Sequence, residues 1–565
     1  QLQKLPESTQ NILKLAACIG NQFDLETLAI VSEQSQTQTA TDLWKALQEG
    51  LILPQSEVYK FFIESENQDN ICQTSQTVSY KFLHDRIQQA AYSLIPEDKK
   101  QVTHHHIGQL FYDSFSEAER EERIFDIVNQ LNIGIDLVTE QSNRNRLAKL
   151  NLLAGIKAKN STAYNAAVNY LTLGINLLPP KNWENDYDLT IALYDEAAEA
   201  VYLNANFEQM DKLVKEIHNH VKNILDEIKV YEVEIQAYMA RDKFIQAIQT
   251  GLKVLRCLDI CFPETPNQLD IQEGIEKTFI TLAQRKPSEL VNIPVMSEPS
   301  YLAALRIFNS IIPCAYQVAP QLLPLLVMEQ VDLSIKYGNS HISASGYAMW
   351  ALILCGIVGD VNTGYEFGQL ALTLLERFNS KEVQAETIFI VNSDVKYYRE
   401  PVKASLASLQ SAYSIALETG NLSYAGLATY IYGYYAYLSG KNLQELNQDI
   451  TRYYLVIHHY KQENSYNLNL ALQQIFINLL NQSEDSCNFD GQVYNYSQML
   501  PLHKQNNDVT AIFYIYFNKQ IINYLFGYFD KALENAKQTE KYLFGVTGNL
   551  AVPVFFFYDS LIQLA

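Results

Sequence analysis

Proline and glycine punctuate this chain sparingly, 16 and 22 among 565 residues, and they fall between long runs with helical apolar spacing. A strand-rich chain needs a turn roughly every 8–12 residues, and Gly and Pro supply most turns. So few breaks predict an almost all-helical protein. The length exceeds what one core supports, so two to four domains are expected.

Charge removes several functions. The net charge of −21 disfavours nucleic acid and anionic membrane, which both need basic patches. No apolar run is long enough for a membrane span. Cys18, Cys72, Cys257, Cys261, Cys314, Cys355 and Cys487 are scattered without a framework, as in reduced cytoplasmic proteins. The chain opens at Gln1 and stops at Ala565 within an amphipathic run, so it reads as an excised segment.

Residues 1–100 stand apart. Pro6–Ile19, Leu25–Ser32 and Thr41–Gln48 read as helices. Leu51–Leu53 and Tyr80–Leu83 read as strands around the polar stretch Gln55–Thr77. Three helices followed by a two-stranded wing is the winged-helix order, and that fold often reads DNA through its third helix. Here the third helix offers one cation, Lys45, beside Asp42 and Glu49. The first hundred residues carry 8 Lys/Arg against 13 Asp/Glu, which favours a packing role over DNA reading.

Residues 101–262 are expected to hold a helical linker and tetratricopeptide-like repeats. A repeat numbered from Ala148 puts Gly155, Tyr164, Ala167, Gly174 and Pro179 on that pattern's positions 8, 17, 20, 27 and 32. A second, from Ile191, places Tyr194, Ala198 and Phe207. A third, from Ile228, places Tyr238, Phe244 and Ala247. Small residues would let paired helices approach, and aromatics would fill the gap to the next pair. Residues 263–300 contain Pro263, Pro266, Pro287, Pro294 and Pro299 and read as a crossover. Residues 301–565 read as a second, degenerate array. Its helix ends share a turn, in YGNSHISASGYA, TGNLSYAGLATY and TGNLAVPVFFFY, where Gly-Asn suits a helix C-cap.

Few residues suit chemistry. Gly440-Lys441 lacks the rest of a phosphate-binding loop. His104, His105 and His106 fan out around a helix and read as a solvated face. His458 and His459 diverge likewise, and Cys257 and Cys261 read as core thiols. Tyr430, Tyr434, Tyr437 and Tyr453 form a dense aromatic region, open to two readings: a groove for a partner segment, or helix packing. No nucleophile–base pair or metal-ligand cluster appears, so the segment is expected to be non-catalytic and to hold no cofactor.

His84 and Asp85 are different, because they stand between a strand end and a helix start. Helix-start N–H groups are unpaired and carry partial positive charge, and an imidazole adds a donor. Together these suit a phosphate. In the alternative reading Asp85 complements the helix start and His84 packs.

Leu83-His84-Asp85 at such a junction resembles the Met-His-Asp motif of signal-transducing STAND ATPases, with Leu83 in place of methionine. The stretches LPESTQNILKLAACIGNQFDLETLAIV, YKFLHDRIQQAAYSLIPEDKK and RKPSELVNIPVM are similar to large bacterial hybrid kinases. In that family a serine/threonine kinase domain precedes a STAND-type ATPase, a helical-repeat region, a GAF domain and a sensor histidine kinase. The resemblance implies that His84 senses ADP on a preceding ATPase domain loaded with ADP or ATP and Mg. It implies that the partners are the adjacent ATPase and kinase domains, with a further protein on the repeats. A winged-helix/helical-repeat transcription regulator, or a stand-alone repeat scaffold, is the alternative.

Overall fold

A computed structural model describes residues 2–55, 78–283, 285–480, 486–487, 489–491 and 493–565. The described chain is mainly helical, with one small sheet. It forms two compact units: Gln1–Lys159 with Ala166–Glu196, and Asn160–Asn165 with Ala197–Ala565.

The first unit begins with helix α1, Glu7–Ile19, which buries Ile12, Leu13, Ala16 and Ala17. Strand β1, Gln22–Asp24, follows. Asp24 then caps α2, Leu25–Ser32, by accepting from the Thr27 amide at 2.6 Å. Helix α3, Gln36–Gln48, starts at Gln36 rather than Thr41 because Ser35 accepts from the Gln38 amide. Strands β2, Ile52–Pro54, and β3, Ser79–Phe82, complete an antiparallel sheet of order β1-β3-β2. The third strand is an addition to the predicted pair. Phe23 on β1 faces Tyr80 on β3, and both rings join Leu43 and Phe82 in one core. Most of the predicted polar stretch, residues 56–77, lies outside the described residues.

Helix α4, Asp85–Tyr92, leaves the sheet directly. Its buried face is narrow: Ala91 is buried and Ile87 half-buried, but Ala90 is exposed. Ile95, just past the helix end, adds a buried contact. The histidine run needs a correction. His104 is buried, not solvated, because its ring nitrogens meet the Tyr92 hydroxyl at 3.0 Å and Gln130 Oε1 at 2.6 Å.

The repeats hold together as the spacing requires. Helix Gln141–Asn160 lies against Tyr164–Leu177, and a Cβ added at Gly155 would meet Leu171 at 2.5 Å. One added at Gly174 would meet Leu193 at 2.7 Å. Those glycines exist for close approach. Tyr164, Phe207 and Phe244 are each the first residue of a second helix. Two residues earlier stand Thr162, Ala205 and Asp242, all in the left-handed conformation at φ 57°, 56° and 58°. The same turn recurs at Gly359, Gly420, Lys461, Asn507 and Gly527, each two residues before a helix. One turn geometry therefore runs through both arrays.

The proline-containing stretch also departs from expectation. It holds a helix, Gln268–Leu282, begun by an Asn267 cap and packed on Leu323–Tyr337. Pro263 and Pro266 precede that cap, while Pro287 and Pro299 occupy first helical positions, where the missing N–H is harmless. Cys257 and Cys261 are exposed rather than core thiols, since Cys257 ends its helix and Cys261 lies beyond it.

Candidate functional site

His84 occupies the N-cap position of α4 with extended backbone, φ −146° and ψ 148°. Its carbonyl accepts from the Ile87 amide at 2.9 Å, but its imidazole makes no capping bond. Asp85 is the first helical residue, so its carboxylate complements the helix start from the first turn. Leu83, His84, Asp85 and Arg86 are all exposed, and Leu83 keeps 40% of its surface. Two hydrogen bonds brace this junction from behind. Leu83 N–H donates to the Leu51 carbonyl at 3.0 Å, and Gln88 Nε2 donates to the Ala17 carbonyl at 3.2 Å. A donor-bearing ring thus stands exposed at the strand-to-helix corner, with no hydrogen bond from its nitrogens among the described residues.

The tyrosine region is a core, which removes two residues from the predicted groove. Tyr430 and Tyr434 are buried, and both pack on Tyr514, with ring centroids 5.2 and 4.9 Å away. Tyr434 donates to Asn518 Oδ1. Tyr430 lines a cavity of only about 80 Å³, room for a few waters rather than a peptide. Tyr437 and Tyr453 are half-buried, Tyr437 against Phe476 and Tyr453 against Tyr413.

The Gly-Asn turns do more than end helices. Gly338, Gly420 and Gly548 take φ of 106°, 76° and 78°, as glycine permits. The following asparagines reach inward. Asn339 Nδ2 donates to the Leu290 carbonyl at 2.8 Å, and its backbone pairs with Pro294 and Met296, anchoring the RKPSELVNIPVM stretch. Asn421 Nδ2 donates to Glu386 Oε2 at 3.4 Å. Asn549 Nδ2 donates to Asp394 Oδ1 at 3.3 Å. Both carboxylates are buried, and burial pushes Glu386 up to about 8 and Asp394 to about 7. Asp394 sits in a π turn, Val391–Val395, whose Ser393 carbonyl accepts from Tyr435. Sequence reasoning missed Glu386 and Asp394, although the Gly-Asn turns that deliver their partners were visible.

Comparison with known proteins places the chain beside signalling proteins. No protein-family model matches it. It is 25% identical over 540 residues to the hybrid signal transduction histidine kinase G of Dictyostelium discoideum. That alignment takes in 85% of this chain and 16% of the relative. The chain is similar to one part of a far longer signalling kinase. Among solved structures, a Signal Transduction ATPase with Numerous Domains (STAND) protein with a tetratricopeptide repeat sensor, from Pyrococcus horikoshii, aligns over 89% of this chain and 64% of its own. The identity is 14% and the TM-score 0.34, a likeness too slight to bear on this fold. No helix among the described residues is long and apolar enough to cross a membrane.

Proposed function

We propose that this chain is a non-catalytic regulatory segment of a signalling kinase, coupling the nucleotide state of an adjacent ATPase domain to kinase output. The similarity of 85% of the chain to 16% of a hybrid histidine kinase carries this reading. The exposed His84 corner supports it in detail. In this reading the first unit acts as a winged helix that closes on the neighbouring domain. His84 donates to the β-phosphate of ADP held there, with Mg and ADP or ATP bound by that domain and not by this chain. Leu83 supplies an apolar contact beside it. The helical repeats present a surface to other domains of the same polypeptide, or to a further protein.

A hydrogen bond to a charged group is worth about 1.5–3 kcal/mol. Its loss shifts the closed-to-open equilibrium by about one to two powers of ten. His84→Ala in the full-length kinase should therefore raise basal autophosphorylation in the absence of stimulus. Unchanged basal output from a stably folded variant would contradict the reading.

A further inference from the structure

Glu199, Glu232, Glu382 and Glu386 line one cavity of about 430 Å³ in the second unit, together with Lys229 and Arg306. That volume falls in the range of small-molecule sites. The two cations are already engaged with carboxylates. Arg306 grips Glu232 with two prongs, Nε to Oε1 at 2.8 Å and Nη2 to Oε2. Lys229 Nζ lies 3.1 Å from Glu199. Glu382, at the open rim, has His341 Nε2 at 3.1 Å. Glu386, on the inner wall, is 2% exposed, and among the described residues no donor meets its Oε1 at full hydrogen-bond geometry, although Asn309 and Ser345 stand close. A buried carboxyl oxygen without a donor is costly, and ionising it there costs more. The fold nevertheless keeps it beside a roomy polar cavity.

We propose that this cavity binds a small organic cation carrying a primary ammonium, which donates to Glu386 and is held at the rim by Glu382. An anion would meet a surplus of carboxylates there, and an apolar ligand would leave Glu386 Oε1 without a donor. An ammonium brings three donors and charge, the strong pairing for a carboxylate. Among the described residues no group of three or more His, Cys, Asp or Glu is arranged to hold a metal ion, so the donor set suits an organic cation. The Thr419-Gly420-Asn421 turn forms part of the wall, and Asn421 holds the other Glu386 oxygen in place. This inference is independent of the regulatory reading above and survives its failure.

The groups around Glu386 give the site a pH signature. Asn309, Ser345 and Asn421 stand beside the carboxyl, Glu382 adds negative charge, and the buried Tyr424 lies near. Burial, the largest effect, holds Glu386 up to about 8, so its carboxyl favours the protonated form at neutral pH. Binding an ammonium favours the ionised form and releases a proton. Affinity should rise as pH passes from 6 to 8.

The test is calorimetric titration of the 565-residue chain with 1,4-diaminobutane, in phosphate and in Tris at neutral pH. A saturable isotherm is expected, with an apparent enthalpy that differs between the buffers in the sense of proton release. Glu386→Gln should weaken binding at least about tenfold and abolish the buffer difference, since the charge-assisted bond is gone. Glu382→Gln, at the exposed rim, should weaken binding while keeping the buffer difference. It carries the test if the buried variant misfolds. Absence of saturable heat at millimolar diamine, equal affinity in both variants, or tighter binding of butanedioate would each overturn the proposal.

Discussion

His84 and Glu386 are both polar residues next to helix starts, in opposite surroundings. His84 is exposed at a corner braced from behind, and among the described residues its ring makes no hydrogen bond. Glu386 is enclosed, is met on one oxygen by Asn421, and is held far from its ordinary ionisation by burial. The first should be removable at little cost to the fold, which fits a role toward something outside the chain. The second is held neutral at a cost to ionisation, which fits a role toward the cavity it lines. A polar residue's meaning lies in what its absence would change.

The largest effect that sharpens this contrast is the pH dependence of stability. Glu386 has a folded value near 8, above its ordinary 4.5. A carboxyl raised in this way favours the fold below its unfolded value, and that stability is lost as pH rises through 8. Thermal melting from pH 5 to pH 9 should therefore fall for the wild type by an amount of order a few kcal/mol. Glu386→Gln should make that slope shallower, leaving the share of Asp394, Glu232 and Asp242, each raised by burial to about 7, and an unchanged slope would break the contrast. Next is helix approach. Gly155→Ala must displace Leu171 and should cost about 1–3 kcal/mol in denaturant unfolding. Smaller still, and of opposite sign, Ala205→Gly relieves a left-handed alanine and should gain up to about 1 kcal/mol. Smallest of all, His84→Ala should leave unfolding within about 0.5 kcal/mol of wild type, as exposed substitutions do. A loss several times larger would make His84 a packing residue.

What could be read from the sequence was local. The bounds of α2 and the strand-to-helix corner at His84 follow from adjacent residues, and the structure places them where the pattern did. The close approach at Gly155 and Gly174 was legible because glycine is the one residue whose absence of a side chain is itself a signal. The rest depended on distant partners. β1 is three residues long and exists because β3 pairs with it from far along the chain. His104 is buried because Gln130 and Tyr92 converge on it. Tyr430 and Tyr434 belong to the core because Tyr514 and Asn518 come to meet them. The repeating turn hid in Thr162, Ala205 and Lys461, residues that carry no left-handed preference in the sequence pattern. Only the Gly420 version, within TGNLSYAGLATY, was visible.

The central claim is that the first unit senses a nucleotide held by a neighbouring domain of the same polypeptide. The dissociation rate of fluorescent ADP from the full-length kinase tests it most directly, wild type against His84→Ala, with thermal melting as the control for folding. The account predicts release faster by about one to two powers of ten with an unchanged melting temperature, since a bond to a charged phosphate is lost. ADP leaving at the wild-type rate from a folded His84→Ala protein would contradict it.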